Sequence, residues 1–129
     1  MLEVMHIMVG AAPRPIAPFS HATIAGDFVF VTGQMPIVPE TGDYVRGSFA
    51  AQTDAVMKNL DLVLRAAHSD WDHVVHCRIY LTDFEKYAEV NEAYRRWFRE
   101  GKLPARTCIG VTALAGGAGV EIDLLAVKA

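Results

Sequence analysis

Cysteine is scarce in this chain: only Cys77 and Cys108 occur among 129 residues, and they lie far apart. That pair rules against a disulfide framework and offers no close Cys/His spacing of the zinc-knuckle kind. Basic residues are not in excess. Twelve Lys and Arg stand against fifteen Asp and Glu, for a net charge of −3. A nucleic-acid binder would usually carry a basic patch or stripe. Here the densest positive cluster, Arg95, Arg96, Arg99 and Lys102, is interleaved with Glu92 and Glu100 and reads as a solvated helix face. Long apolar runs are missing too, and none approaches the roughly 18 residues of a membrane span. Residues 1–10 are apolar but lack a basic n-region and a clear cleavage site. A soluble cytoplasmic protein is expected, with neither a membrane nor a nucleic acid as partner.

What the chain does have is apolar side chains, 52% of the total. A chain of this length fits a single domain, residues 1–129. It buries roughly two thirds of its unfolded surface. The apolar excess then has two homes, a rich core or a buried subunit interface.

The three prolines Pro13, Pro15 and Pro18 make residues 11–20 an extended lead-in, because each disfavours helix at the residue before it. His21–Ile24, the turn Gly26-Asp27, and Phe28–Thr32 read as a β-hairpin. From Ser48 the period changes. Phe49, Thr53, Val56, Met57, Leu60, Val63, Leu64 and Ala67 fall on one helical face, with Ser48 as N-cap. Val74–Leu81 reads as a strand, and the strand-helix-strand order suggests parallel pairing. A second helix is expected from near Asp83 until Gly101 and Pro104 stop it. Its inner face would be Phe84, Tyr87, Ala88, Asn91, Tyr94, Trp97 and Phe98. Residues 106–111 and 121–127 supply two more strands around the glycine-rich segment 114–119. The order β-β-α-β-α-β-β predicts an α+β fold, a mixed sheet with two helices packed on one face. The sheet's other face would need covering, and oligomerisation is the natural way to do it.

Strand alternation places Arg106 and Cys108 on one face, and Glu121 and Asp123 together on one face of the last strand. If those two strands are neighbours, Arg106 and Glu121 converge at one end of the sheet. From spacing alone, a surface ion pair is the simpler account.

The wider pattern changes that account. Pro104-Ala105-Arg106-Thr107-Cys108 followed by Val120-Glu121-Ile122-Asp123 resembles the C-terminal signature of the RidA (YjgF-type) family. Pro18-Phe19-Ser20-His21-Ala22, Thr32-Gly33-Gln34-Met35-Pro36, Gln52-Thr53 with Asn59-Leu60, and Val90-Asn91-Glu92-Ala93-Tyr94 extend the match from about residue 14 onward. The resemblance implies a chorismate-mutase-like fold and a homotrimer with clefts between subunits. It also implies hydrolysis of 2-enamine or 2-imine carboxylates to 2-keto acids and ammonia, without cofactor or metal. Arg106 would grip the carboxylate through its planar fork. Glu121 would position or deprotonate water. Thr32, Gly33, Asn91 and the backbone of Cys108-Ile109 would line the pocket. Asn91 is equally open to a structural role, bonded to nearby backbone. Cys108 reads more simply as a small buried residue than as a reactive thiol.

Phe19 departs from the pattern, since deaminases of the family usually carry Tyr there. The aromatic wall stays and a hydroxyl donor goes, which leaves open a pathway-specific substrate of the aminomuconate or aminoacrylate kind. His21 is a possible substitute polar group, or simply a strand histidine. A non-catalytic small-carboxylate binder or a protein-interaction module is the reading from another class. His73 and His76 do not share a strand face. Gly116–Gly119 precedes a strand, so it lacks the helix N-terminus a phosphate loop needs. Trp97-Phe98 reads as core.

Overall fold

The computed structural model describes residues 2–129. Six strands form one mixed sheet: β1 (Val4–Ile7), β2 (Ala22–Ala25), β3 (Phe28–Gln34), β4 (Val74–Leu81), β5 (Ala105–Gly110) and β6 (Val120–Val127). Their spatial order is β1-β2-β3-β6-β4-β5. Two helices, α1 (Phe49–Ala66) and α2 (Tyr87–Arg95), complete the α+β fold. The expected order holds once β1 is added at its start. That strand pairs antiparallel with β2 at the sheet edge. Its side chains Val4 and Met5 stay exposed, so the segment shows no alternation to read.

α1 forms as its periodicity predicts. Val56, Met57, Leu60, Val63, Leu64 and Ala67 are fully buried against the sheet. Ser48 Oγ accepts from Ala51 N at 3.0 Å, and Glu89 caps a second free donor, Ala50 N, at 3.0 Å. Two buried amides on α1 hold loops. Asn59 Nδ2 donates to the carbonyls of Met35 and Ile37, and Gln52 Oε1 accepts from Gly119 N. His21 is a structural residue. Its Nδ1 accepts from Val9 N at 2.8 Å, and its Nε2 lies 2.7 Å from the Pro13 carbonyl, tying the proline-rich lead-in to the hairpin.

Three expectations are corrected. β3 and β4 do not pair, because β6 lies between them and is antiparallel to both. Parallel pairing occurs across the second crossover, between β4 and β5. β5 and β6 are therefore not neighbours, since β4 separates them. The second helix is shorter and rotated. It begins as a 3-10 turn, Phe84–Lys86, before α2 proper. A 3-10 turn winds at three residues per turn and eclipses side chains three apart. Phe84 accordingly stacks on Tyr87, ring centroids 5.1 Å apart, and both stay outside while Val90, Ala93 and Tyr94 face inward. Trp97 and Phe98 do pack inward, around Trp71.

The sheet face away from the helices is bare in a single chain. Phe28 and Phe30 are 49% and 48% exposed there. Along the same face, Arg78 and Tyr80 both donate to Asp123, at 2.8 and 3.0 Å.

Candidate active site

The predicted site residues form two clusters on opposite faces of the sheet. In register, Arg106 stands beside Cys77 and Leu124, on the helix side. Its guanidinium Nη1 donates to Asn91 Oδ1 and its Nη2 to the Tyr87 hydroxyl, both at 2.8 Å. The guanidinium carbon lies 5.1 Å from the centre of the Tyr94 ring and 5.5 Å from that of Tyr87. Asn91, Tyr94, Arg95, Leu103, Pro104 and Arg106 surround a depression of about 240 Å³. Cys108 shares this face, opposite Ile79, and burial raises its thiol above the ordinary value. Cys77, deeper in, is pushed up to about 11 by burial. Neither thiol has the depressed pKa of a nucleophile.

Arg106 is not among the ion-paired arginines of the described residues. Arg65, Arg78 and Arg99 each pair with an aspartate. Arg106 has only neutral partners, and among the described residues no carboxylate pairs with it. Its position is set by an amide, a phenol and two aromatic faces, so the charge is held in place and left uncompensated.

The second cluster is on the open face. β3 carries a bulge between Val31 and Gln34, where Thr32 and Gly33 together span one residue of β6. A bulge re-aims side chains and strand direction. Here it brings Gly33 against the Glu121 carboxylate, so that a Cβ at Gly33 would overlap Glu121 Oε2. The Thr-Gly-Gln motif thus has a physical reason: the extra residue is the bulge, and the glycine leaves room for the acid. Gln34 turns back to the helix side and is buried. Glu121 is half-buried, and its carboxyl is raised above 4.5, first by burial and then by the neighbouring Asp123 charge. Ile109 lies on this face at the level of Glu121, with Tyr80 between them. Phe19, 40% exposed, lines an open cleft of about 800 Å³ together with Ser20, Thr32, Gly33, Arg78 and Asp123.

Arg106 and Glu121 therefore do not converge within one chain. They are three residues apart along the sheet and two strands apart across it, which is about 14 Å between α-carbons. Their side chains also leave opposite faces. The surface ion pair is excluded for the same reason. Thr32, Gly33 and Glu121 come together as one group, and Asn91 and Arg106 as another. Asn91 is bonded to Arg106 rather than to backbone.

The helix stripe marks Tyr87 and Tyr94 only as core. The signal for Tyr87 was its place one turn before Asn91 on the same helix stripe. Among the described residues no group of three or more His, Cys, Asp or Glu could hold a metal. His73 bonds Asp70 instead, at 2.6 Å. The glycine-rich segment is a packing device, where a Cβ at Gly116 would overlap the Tyr44 ring.

Comparison with known proteins bears on the same elements. The family model described as Endoribonuclease L-PSP matches residues 9–128. Protein DfrA of Myxococcus xanthus is 47% identical over 119 residues, covering 91% of this chain and 90% of its own. The crystal structure of RidA from the Antarctic bacterium Psychrobacter superposes with a TM-score of 0.91 at 32% identity, covering 95% of this chain and 98% of that one. TdcF of E. coli, solved with bound serine, gives 0.88 at 26% identity over 95% of this chain and 99% of its own. With both motif clusters in place on the same fold, the chain belongs to the YjgF/RidA family, the family of the endoribonuclease L-PSP model.

Proposed function

We propose that the protein hydrolyses 2-imino and 2-enamino carboxylates to 2-keto acids and ammonia, in a homotrimer whose sites lie between subunits. The observation that carries this reading is Arg106, a guanidinium pinned by neutral partners with no carboxylate of its own. A planar fork held in place binds a carboxylate through two parallel hydrogen bonds. Each charge-assisted bond contributes about 1.5–3 kcal/mol. Serine, the ligand of TdcF, bears an α-carboxylate of the same kind.

The chemistry needs one more group. Glu121 takes a proton from water as the water oxygen bonds to the C=N carbon, and the imine nitrogen gains a proton. The resulting carbinolamine then expels ammonia as its hydroxyl becomes the keto oxygen. An enamine enters the same route after protonation at carbon. A raised carboxyl is a stronger base than an ordinary glutamate, which suits this step. In one chain each site is half-built, with the cation on one face and the acid on the other. Cyclic packing meets that need, because a heterologous interface joins two different surfaces of the same chain. The exposed Phe28 and Phe30 support burial of the open face in such an assembly.

The test generates 2-iminobutanoate in situ and follows its loss with and without protein, alongside light scattering. Accelerated loss and a mass three times 14.1 kDa are expected. A rate equal to the uncatalysed one would defeat the imine reading, and a stable monomer would defeat the shared site.

Gly33→Ala supplies a sharper check on the acid. The added methyl must move Glu121, a flexible side chain that can swing away at little cost in stability. The variant is expected to melt within a few degrees of the parent yet lose about tenfold or more in kcat, because a misplaced base forfeits part of its rate effect. An unchanged kcat would show that the carboxylate position does not matter.

A further inference from the structure

Tyr87 is 37% exposed at the start of α2, and its ring is stacked on Phe84. Its hydroxyl oxygen accepts from Arg106 Nη2. That bond uses an oxygen lone pair and leaves the phenolic proton unspent. The guanidinium likewise commits one N–H of each terminal nitrogen, to Asn91 and to Tyr87, out of five. A carboxylate gripped by the remaining N–H groups would lie beside the Tyr87 hydroxyl, whose proton has no other acceptor among the described residues. A phenol polarised by a neighbouring cation is a good donor to such an anion.

We infer that Tyr87 is a substrate-binding residue, a third donor to the carboxylate held by Arg106, supplying from α2 the hydroxyl that Phe19 does not provide. The inference rests on the imine-hydrolase reading. It gives Phe19 a different meaning: the pocket has a hydroxyl donor, placed beside the guanidinium rather than in the open-face cleft. The donor acts on a group that does not change during the reaction, so it strengthens ground state and transition state alike. Such uniform binding appears in KM and leaves kcat unchanged.

The experiment uses Tyr87→Phe, which keeps the ring, its stacking on Phe84 and its contact with the guanidinium. KM for 2-iminobutanoate is expected to rise about threefold to tenfold with kcat within about a factor of two, the loss of one hydrogen bond. Affinity for the product 2-oxobutanoate, measured by calorimetry, is expected to fall by the same factor. The same substitution is then made in an Arg106→Lys background, where the bond to the guanidinium no longer exists. A direct donor still costs several-fold there, whereas a residue acting only by propping Arg106 costs nothing. Parent protein that neither hydrolyses the imine nor binds 2-oxobutanoate would remove the reading beneath the inference. An active parent with an unchanged Tyr87→Phe variant would overturn the inference alone. So would a Tyr87→Phe effect that vanishes in the Arg106→Lys background.

Discussion

Arg106→Ala is expected to fold normally and to lose about a hundredfold to a thousandfold in kcat/KM on 2-iminobutanoate. The size follows from two charge-assisted hydrogen bonds, together about 3–6 kcal/mol before solvent competes for the freed carboxylate. Stability should change little, because the side chain is only half-buried and its removal frees an amide and a phenol that water can reach. Arg106→Lys separates charge from shape. An ammonium keeps the attraction and loses the fork, so it should recover only part of the activity and remain about tenfold or more below the parent. Steady-state kinetics with the imine generated in situ, beside thermal melts of both variants, decides the matter. If Arg106→Lys is fully active, the two-bond grip is wrong. If Arg106→Ala fails to fold, Arg106→Lys still tests the geometry, because it preserves the stem and the charge.

The legible parts of this protein are those where a residue's neighbours in sequence set its environment. The buried stripe of α1, its Ser48 cap and the hairpin around Gly26-Asp27 follow from local periodicity and turn chemistry. The pairing of strands does not. β6 carries Val120, Ile122, Leu124 and Ala126 on a completely buried face, and it takes the central place between β3 and β4. The chain reaches that place by passing over the end of β4, where Val111 N bonds Leu81 O and Thr82 N bonds Gly119 O. No local pattern announces this crossing, and the meeting of Arg106 with Glu121 inside one chain failed with it. Only the bulge at Thr32-Gly33 is local; the approach of Glu121 to Gly33 and of Arg106 to Asn91 joins segments distant in sequence, and no periodicity announces either contact. What was missed was the phase of α2. Counting at 3.6 residues per turn from Phe84 ignores the 3-10 turn, so Tyr87 was counted as core when it stands outside beside Arg106.

Mixed trimers test the division of the site most directly. Arg106→Ala and Glu121→Gln are each expected to be nearly inactive, the second by about a hundredfold or more for loss of the base. Unfolded together and refolded as a one-to-one mixture, they should recover about a quarter of the parent's activity. In a cyclic trimer, one interface in about four then joins an intact arginine to an intact glutamate on the next copy. A site contained in one chain gives no recovery at any mixing ratio. The parent's pH profile assigns the base. Burial and Asp123 raise the Glu121 carboxyl, so the acid limb of kcat/KM should lie above 4.5, and Glu121→Gln should abolish that limb. Stability should move the other way. A carboxyl raised in the folded state ionises first in the unfolded chain, so its ionisation opposes folding as pH rises from 4.5 through the raised value. Glu121→Gln should therefore be at least as stable as the parent at pH 7, with any advantage fading as pH falls to 4.5. A variant that is less active and no less stable is what a base kept for chemistry requires. A glutamate kept for the fold would lose stability with its charge.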